Sequence, residues 1–472
     1  MHAVRLEDTS KTRFLFVDYI QNESVSSLMN CTLSDTILAD GQIIGRGVIG
    51  LLKAYKGHVV YTASPKEFTV IENGYILVEN DVVKSVSKDM PKGLNEDQIV
   101  DYGDRLIVPG FVDLHFHAPQ YANIGLGLDK ELLPWLEDYT FPTEAKFSDT
   151  QFADRVYRKV AAELIKQGTT RVVLFATIHL ESTKLLARIL DESGIGAYVG
   201  KVNMDRNSSD NLIETTSESL ADTKAFIQSF DDVSDRVKPI ITPRFVPTCT
   251  AELMQGLGEL AKAHNVPIQS HISENLGEVD WVAELHPEFE NYAAVYDNFG
   301  LLNDQTIMAH CVHNTDDEIK MMAENGTYSA HCPNANYNLS SGIMPVRKFI
   351  NAGVNVGLGT DVGAGHKVSI AQVMSQAVQG SKMVWQMCDK SLAPLTTSEV
   401  FYLGTKGGGS FFGQVGSFEP GYKFDALVID DESLKIELDR SIEERVQRFI
   451  YCGDDRHIIR RFVDGREIII PN

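Results

Sequence analysis

Short runs rich in Val, Ile and Phe recur along the chain, each separated from the next by a longer segment whose apolar residues fall at helical intervals. The runs are LIVPGFVDLHFH from Leu106, RVVLFATIH from Arg171, IGAYVGKV from Ile195, KPIITPRF from Lys238, VPIQSH from Val266, QTIMAH from Gln305, TYSAH from Thr327 and VNVGLGTD from Val354, eight in all. Each predicts a strand. The segment 149–168 typifies the pieces between them: Phe152, Val156, Val160, Ala161 and Leu164 repeat with helical spacing ahead of a terminal glycine. Strand and helix alternate, which implies a parallel sheet in an α/β fold.

Polar residues suited to chemistry close several of the runs: His115 and His117, His271, His310, His331 and Asp361. A closed, TIM-like (β/α)8 barrel brings all such ends to one mouth, whereas an open sheet strings them along an edge. The Gly-x-Gly-x-x-Gly turn expected after the first strand of a nucleotide-binding open sheet is absent. Outside the barrel, apolar and polar residues alternate between Gly, Asn and Asp turns over 58–89, 416–431 and 458–470. These stretches predict one small β-sandwich domain built from both chain ends. The expected division is an N-terminal extension over 1–57, the small β-domain over 58–108 plus 406–472, and the barrel over 109–405. In the extension, the runs 12–20 and 35–52 could add strands or form a separate arm.

Composition narrows the partners. A formal charge of −22 without a compensating Lys/Arg cluster disfavours nucleic acid and anionic membranes. Six scattered cysteines with no Cys-x-x-Cys pair suit a reducing compartment. With no signal-peptide core at the N-terminus and no run of the ~18 apolar residues that a membrane span needs, a cytoplasmic, water-soluble protein is expected.

The strand ends carry the candidate chemistry. Residues two apart on a strand share a face, so His115 and His117 can close on one small object, and a metal ion is the natural candidate. His271 and Asp361 complete a ligand set of imidazoles and one carboxylate, with His310 as a further imidazole. Glu274 stands three residues beyond His271, in the loop after the strand, where a proton shuttle belongs. Each element has a plainer reading: the His-x-His pair as hydrogen-bonded core, Glu274 as a helix-start residue, Asp361 as an N-cap or turn. Their joint occurrence at the ends of one barrel favours the metal site. His313 and His331 read as structural, and His179 fits either role. His2, His58, His264, His286, His366 and His457 read as exposed or packing residues, and Cys311 and Cys332 as buried or lining thiols.

The motifs PGFVDLHFH, SHISEN, AHCVH and GTDVGAG resemble the metal-dependent amidohydrolase superfamily. The stretches 117–147, TPRFVPTC from Thr242 and HCPNANYNLSSG from His331 resemble, within it, the guanine deaminases. The resemblance covers roughly Val59 to the C-terminus and leaves the first ~55 residues unexplained. It implies one Zn2+ per chain held by His115, His117, His271 and Asp361, since no barrel lysine presents itself for the carboxylated bridge of two-metal relatives. It further implies hydrolytic deamination of guanine to xanthine and ammonia, with Glu274, His310 and Asp361 catalytic. The base would be bound by His117, Ala118, Pro119, Gln120, Arg244 and Phe245 together with His271, Glu274, His310 and Asp361. The partners expected are guanine and a second copy in a homodimer. The rival readings are an aminohydrolase of the same superfamily acting on another purine, a pyrimidine or a triazine, and a non-catalytic binding barrel, which would be expected to lack a ligand or the shuttle.

Overall fold

All eight runs contain a parallel strand in the computed structural model, which describes residues 52–471. Phe111–His117, Thr169–Phe175, Gly196–Gly200 and Val237–Pro239 form one four-stranded sheet in chain order. Ile268–Ile272, Thr306–His310, Tyr328–His331 and Asn355–Leu358 form a second. Hydrogen bonds join the two sheets along both edges. Ile241 pairs in parallel with Ile268, and Gln269 N donates to Ile241 O at 2.9 Å. At the other edge Asp361 N donates to His115 O at 2.9 Å, and His117 N to Val362 O at 3.0 Å.

The helix Thr150–Lys166 starts where Asp149 accepts from Gln151 N and stops before Gly168, whose φ of +82° only glycine adopts freely. Its buried stripe is Ala153, Tyr157, Val160, Ala161, Leu164 and Ile165, while Phe152 and Val156 are only half-buried. The inward face therefore lies one residue further along than the apolar pattern suggests. Tyr157 turns it: the ring is fully buried and its hydroxyl accepts from Ser182 Oγ at 3.4 Å.

Strands from both chain ends meet in one seven-stranded sheet. Its order is Arg466–Glu467, Ile458–Val463, Ala426–Ile429, Ile99–Pro109, Leu52–Ser64, Glu67–Glu79 and Val82–Ser87. The first of these in sequence opens at Leu52, ahead of residue 58; the rest of the N-terminal runs lies outside the described residues. The run from Leu106 is not one strand. It breaks at Gly110, so that Ile99–Pro109 serves the seven-stranded sheet and Phe111–His117 the parallel one. A Cβ at Gly110 would stand 2.2 Å from Thr170 Oγ1, so only glycine permits this close crossing of backbone and side chain.

A buried ion cluster ties the two regions. Arg171, on a parallel strand, donates to Asp425 at 2.6 and 3.0 Å and to Asp464 at 2.7 Å. Removing one partner of a buried pair typically costs about 3–5 kcal/mol because the other charge is stranded. Arg171→Met is therefore expected to lower the melting temperature by many degrees; an unchanged transition would mean that water replaces the guanidinium. Among the described residues no helix is long and apolar enough to cross a membrane.

Candidate active site

Strand alternation puts His115 and His117 on one side of Phe111–His117, their ring centres 4.9 Å apart. His271, near the end of Ile268–Ile272, brings its Nε2 to 3.1 Å from His117 Nε2. Asp361, just past Asn355–Leu358, sets Oδ1 3.2 Å from His115 Nε2 and 3.5 Å from His117 Nε2. His310, the last residue of Thr306–His310, stands with Nε2 3.9 Å from Asp361 Oδ2 and 3.4 Å from Glu274 Oε2. Two triads, His115/His271/His310 and His115/His117/Asp361, have ligand atoms all within 4.8 Å of one another.

Strained backbone brings these groups inward: Ser273, His310 and Asp361 have φ of +51°, +74° and +49°, a region non-glycine residues seldom enter. Asp113, which the motif analysis passed over, braces the same place. Its carboxylate accepts from His115 N at 3.2 Å, Thr360 N at 3.0 Å and Thr360 Oγ1 at 2.5 Å, latching the His-x-His strand to the residue before Asp361. Phe175, fully buried, packs against His115, His117 and His271 with ring centres 4.6–5.0 Å away, giving the cluster an apolar floor.

The donor chemistry fits a divalent cation. His271 Nδ1 donates to Arg244 O at 2.6 Å, which leaves Nε2 with a lone pair facing the cluster. Burial, reinforced for His117 and His271 by the neighbouring imidazoles, pushes the pKa of all three histidines down and keeps them neutral, the form that ligates metal. Both ring nitrogens of His115 and Nδ1 of His117 are buried without a hydrogen-bond partner, although His115 Nε2 lies close to Asp361. A neutral imidazole has one lone pair, so one of the two His115 nitrogens is a buried acceptor that is costly unless something positive meets it. Burial alone would raise the Asp361 carboxyl, but His115, then His310 and Arg244, hold it below the usual range, so it stays an anion.

Glu274 lies in the loop beyond His271, as its offset predicts. Ser341 Oγ donates to its Oε1 at 3.2 Å, and burial raises its pKa to about 7. His310 moves upward for the opposite reason: burial disfavours its cation, but Glu274 and Asp361 outweigh that. Its Nδ1 donates to Asn336 Oδ1 at 2.9 Å.

A cavity opens beside the cluster, and His117, Gln120, Arg244, Phe245, His271, Glu274, His310 and Asp361 line it. Ala118 and Pro119 are buried next to these residues but do not line it. Sequence reading missed Leu132, Trp135, Leu136 and Leu339, which form apolar wall, and also Glu278 and Glu144. Glu278 accepts from Glu274 N at 2.8 Å and so shapes the Glu274 loop; the capping box it makes with Asn275 was a usable signal. Leu132, Trp135 and Leu136 fall at helical spacing, another readable sign. Glu144 carries no such mark. His331 and His313 line no part of the cavity, and His313 Nε2 donates at 2.7 Å to the carbonyl of Ser341, whose hydroxyl meets Glu274. Cys311 and Cys332 are buried, and burial pushes the Cys311 thiol up to about 12. A lysine does stand at a strand end after all: Lys201, just after Gly196–Gly200, is fully buried, but its ammonium donates to both Glu214 oxygens at 2.7 and 2.8 Å and to Val202 O at 3.2 Å.

Residues 106–468 match the profile of the Amidohydrolase family. The guanine deaminase of Dictyostelium discoideum is 40% identical over 443 residues, covering 89% of this chain and 98% of that protein. The guanine deaminase of Escherichia coli (strain K12) is 33% identical over 384 residues, covering 79% and 85%. A crystal structure of guanine deaminase from C. acetobutylicum, with guanine bound in its active site, is 51% identical and superposes with a TM-score of 0.87 over 89% of this chain and 100% of that one. The matched span holds every member of the buried His/Asp cluster and the Glu274 loop beside it, and the chain belongs to the amidohydrolase family.

Proposed function

We propose that the protein hydrolyses guanine to xanthine and ammonia, using one zinc ion per chain held by His115, His117, His271 and Asp361. The observation that carries this is one cavity lined by two unlike sets of groups: His117, His271, His310 and Asp361 of the converging imidazole and carboxylate cluster, and the donors Arg244 and Gln120. The guanine-bound structure of a 51% identical relative supports the choice of base. When bound, zinc supplies a Lewis acid that lowers the pKa of its water to about 7.

The chain's own groups do the rest. Glu274, held near 7, takes one proton from the attacking water and gives it to the ring nitrogen, then carries the second, from the hydroxyl now on carbon, to the amine, which leaves as ammonia as the carbonyl forms. His310 stabilises the tetrahedral carbon's developing charge, and Asp361 accepts a hydrogen bond that aims the water at the amino-bearing carbon. Arg244 grips the purine carbonyl, Gln120 pairs with a ring nitrogen and Phe245 contributes a flat face. The seams joining the two parallel sheets support reading them as a closed (β/α)8 barrel over about 109–405. The core of Tyr55, Val59, Ile76, Phe418, Phe424 and Phe462 supports a small β-sandwich over the two chain ends.

A substrate panel tests the reading. Xanthine is expected from guanine and nothing from adenine, cytosine or triazines; turnover of one of those rings instead would transfer the protein to another aminohydrolase activity. Arg244→Met removes a charge-assisted hydrogen bond worth about 1.5–3 kcal/mol, so efficiency on guanine should fall by an order of magnitude or more. Diaminopurine, with an amino group where guanine has its carbonyl, should suffer far less. Arg244 also pairs with Glu144 at 2.6 Å, so the variant's melting temperature falls under either role, and the ratio between the two purines decides. Equal losses would make Arg244 a brace only.

A further inference from the structure

Arg244 is not free to choose what it grips. Its Nη1 donates to Glu144 Oε2 at 2.6 Å and its Nη2 to Glu144 Oε1 at 3.2 Å, while the guanidinium lies 5.2 Å from the Phe141 ring centre. The same Glu144 Oε1 accepts from Gln120 Nε2 at 3.0 Å, and Gln120 Oε1 accepts from Gly363 N at 3.1 Å. This fixes the orientation of the Gln120 amide: with its oxygen engaged by Gly363, the side left for a ligand is its second N–H. Glu144 itself is 1% exposed, does not line the cavity and directs its hydrogen bonds to Gln120 and Arg244.

We propose that Glu144 is a specificity-positioning residue: one buried carboxylate holds Arg244 and Gln120 together as a pair of hydrogen-bond donors facing the cavity, so the site accepts purines with acceptors along that edge and rejects those with an amino group there. The pairing also cancels the guanidinium's charge, so the donors suit a neutral base and need no anion. Glu144 belongs to the helical segment 132–148, which also supplies Leu132, Trp135 and Leu136 to the cavity wall and contains a π turn at Leu136–Thr140. One segment thereby sets both the apolar wall and the polar readers.

This rests on the guanine reading, which fails separately if the wild-type enzyme yields no xanthine. The experiment is a double-mutant cycle on the full-length, metal-loaded protein: wild type, E144Q, R244M and E144Q/R244M. It reads kcat and KM on guanine and diaminopurine, xanthine affinity by calorimetry, metal content and melting temperature. E144Q is expected to raise KM for guanine and weaken xanthine about tenfold with less change in kcat, and to narrow the preference over diaminopurine, with the metal retained. In the R244M background the same substitution should add less than about twofold, because the amide oxygen at 144 still accepts from Gln120 Nε2 and the Arg244 ion pair is already gone. E144D should restore part of the guanine preference. Single losses that multiply in the double variant, or equal losses on both purines, would overturn the proposal. If E144Q does not fold because Arg244 is left unpaired, the double variant, which carries neither charge, decides: activity equal to R244M supports the proposal and a further loss on both purines overturns it.

Discussion

His115→Ala and Asp361→Ala are each expected to leave a folded protein that carries no stoichiometric metal and turns over guanine near background. The motive is geometric: these two residues contact each other at 3.2 Å, and His115 belongs to both ligand triads. Losing an outer partner of a metal ligand already costs about 10–100-fold in affinity or activity, so losing the ligand itself should exceed that. Elemental analysis after dialysis, alongside guanine turnover, reads both consequences. Metal retained at about one per chain in both variants would remove these residues from the ligand set. Loss of metal with full activity would remove the metal from the reaction.

Glu274→Gln separates chemistry from binding. The amide keeps the size of the side chain and still accepts from Ser341, but it cannot take a proton from water. Turnover is expected to fall at least ~100-fold, the span that general acid–base groups commonly supply, with the metal and guanine binding kept. The buried carboxyl's elevation to about 7 suits it to take up and release a proton near neutrality. Near-normal turnover would shift the proton role to His310, which stands 3.4 Å from Glu274. Xanthine affinity that falls along with turnover would make Glu274 a binding group.

Much of this was legible in the chain because periodicity and position report on backbone. Each apolar run contained a strand, and His115, His117, His271, His310 and Asp361 at the run ends converged, His331 standing apart, because parallel strands carry their C-terminal ends to one side. What stayed hidden depended on contacts across the sequence. The break at Gly110 is invisible in an unbroken apolar run, since its cause is Thr170, which is distant in sequence. Tyr157 turned the helix face because a tyrosine can be buried when its hydroxyl finds a partner, which an apolar pattern does not credit. Lys201 escaped notice because a lysine near a turn suggests solvent, whereas Glu214 makes its full burial tolerable. Glu144 lies a hundred residues before Arg244 and matches no spacing rule; only the fold brings the two together.

The crossing at Gly110 has a mechanical meaning. The ribbon that ends in His115 and His117 begins as the central strand of the seven-stranded sheet, where Ile99–Pro109 sits between Leu52–Ser64 and Ala426–Ile429. Gly110 N is itself fastened to Asp425 O at 3.0 Å, beside the Arg171 cluster. A fluctuation that peels open the outer sheet must therefore pull on the two histidines, and disorder at the histidines propagates outward along the same backbone. The peripheral sheet and the histidine cluster are expected to open together, with matching amide-exchange protection in Ile99–Pro109 and Phe111–His117, so that a substitution far from the cavity loosens the site without touching it.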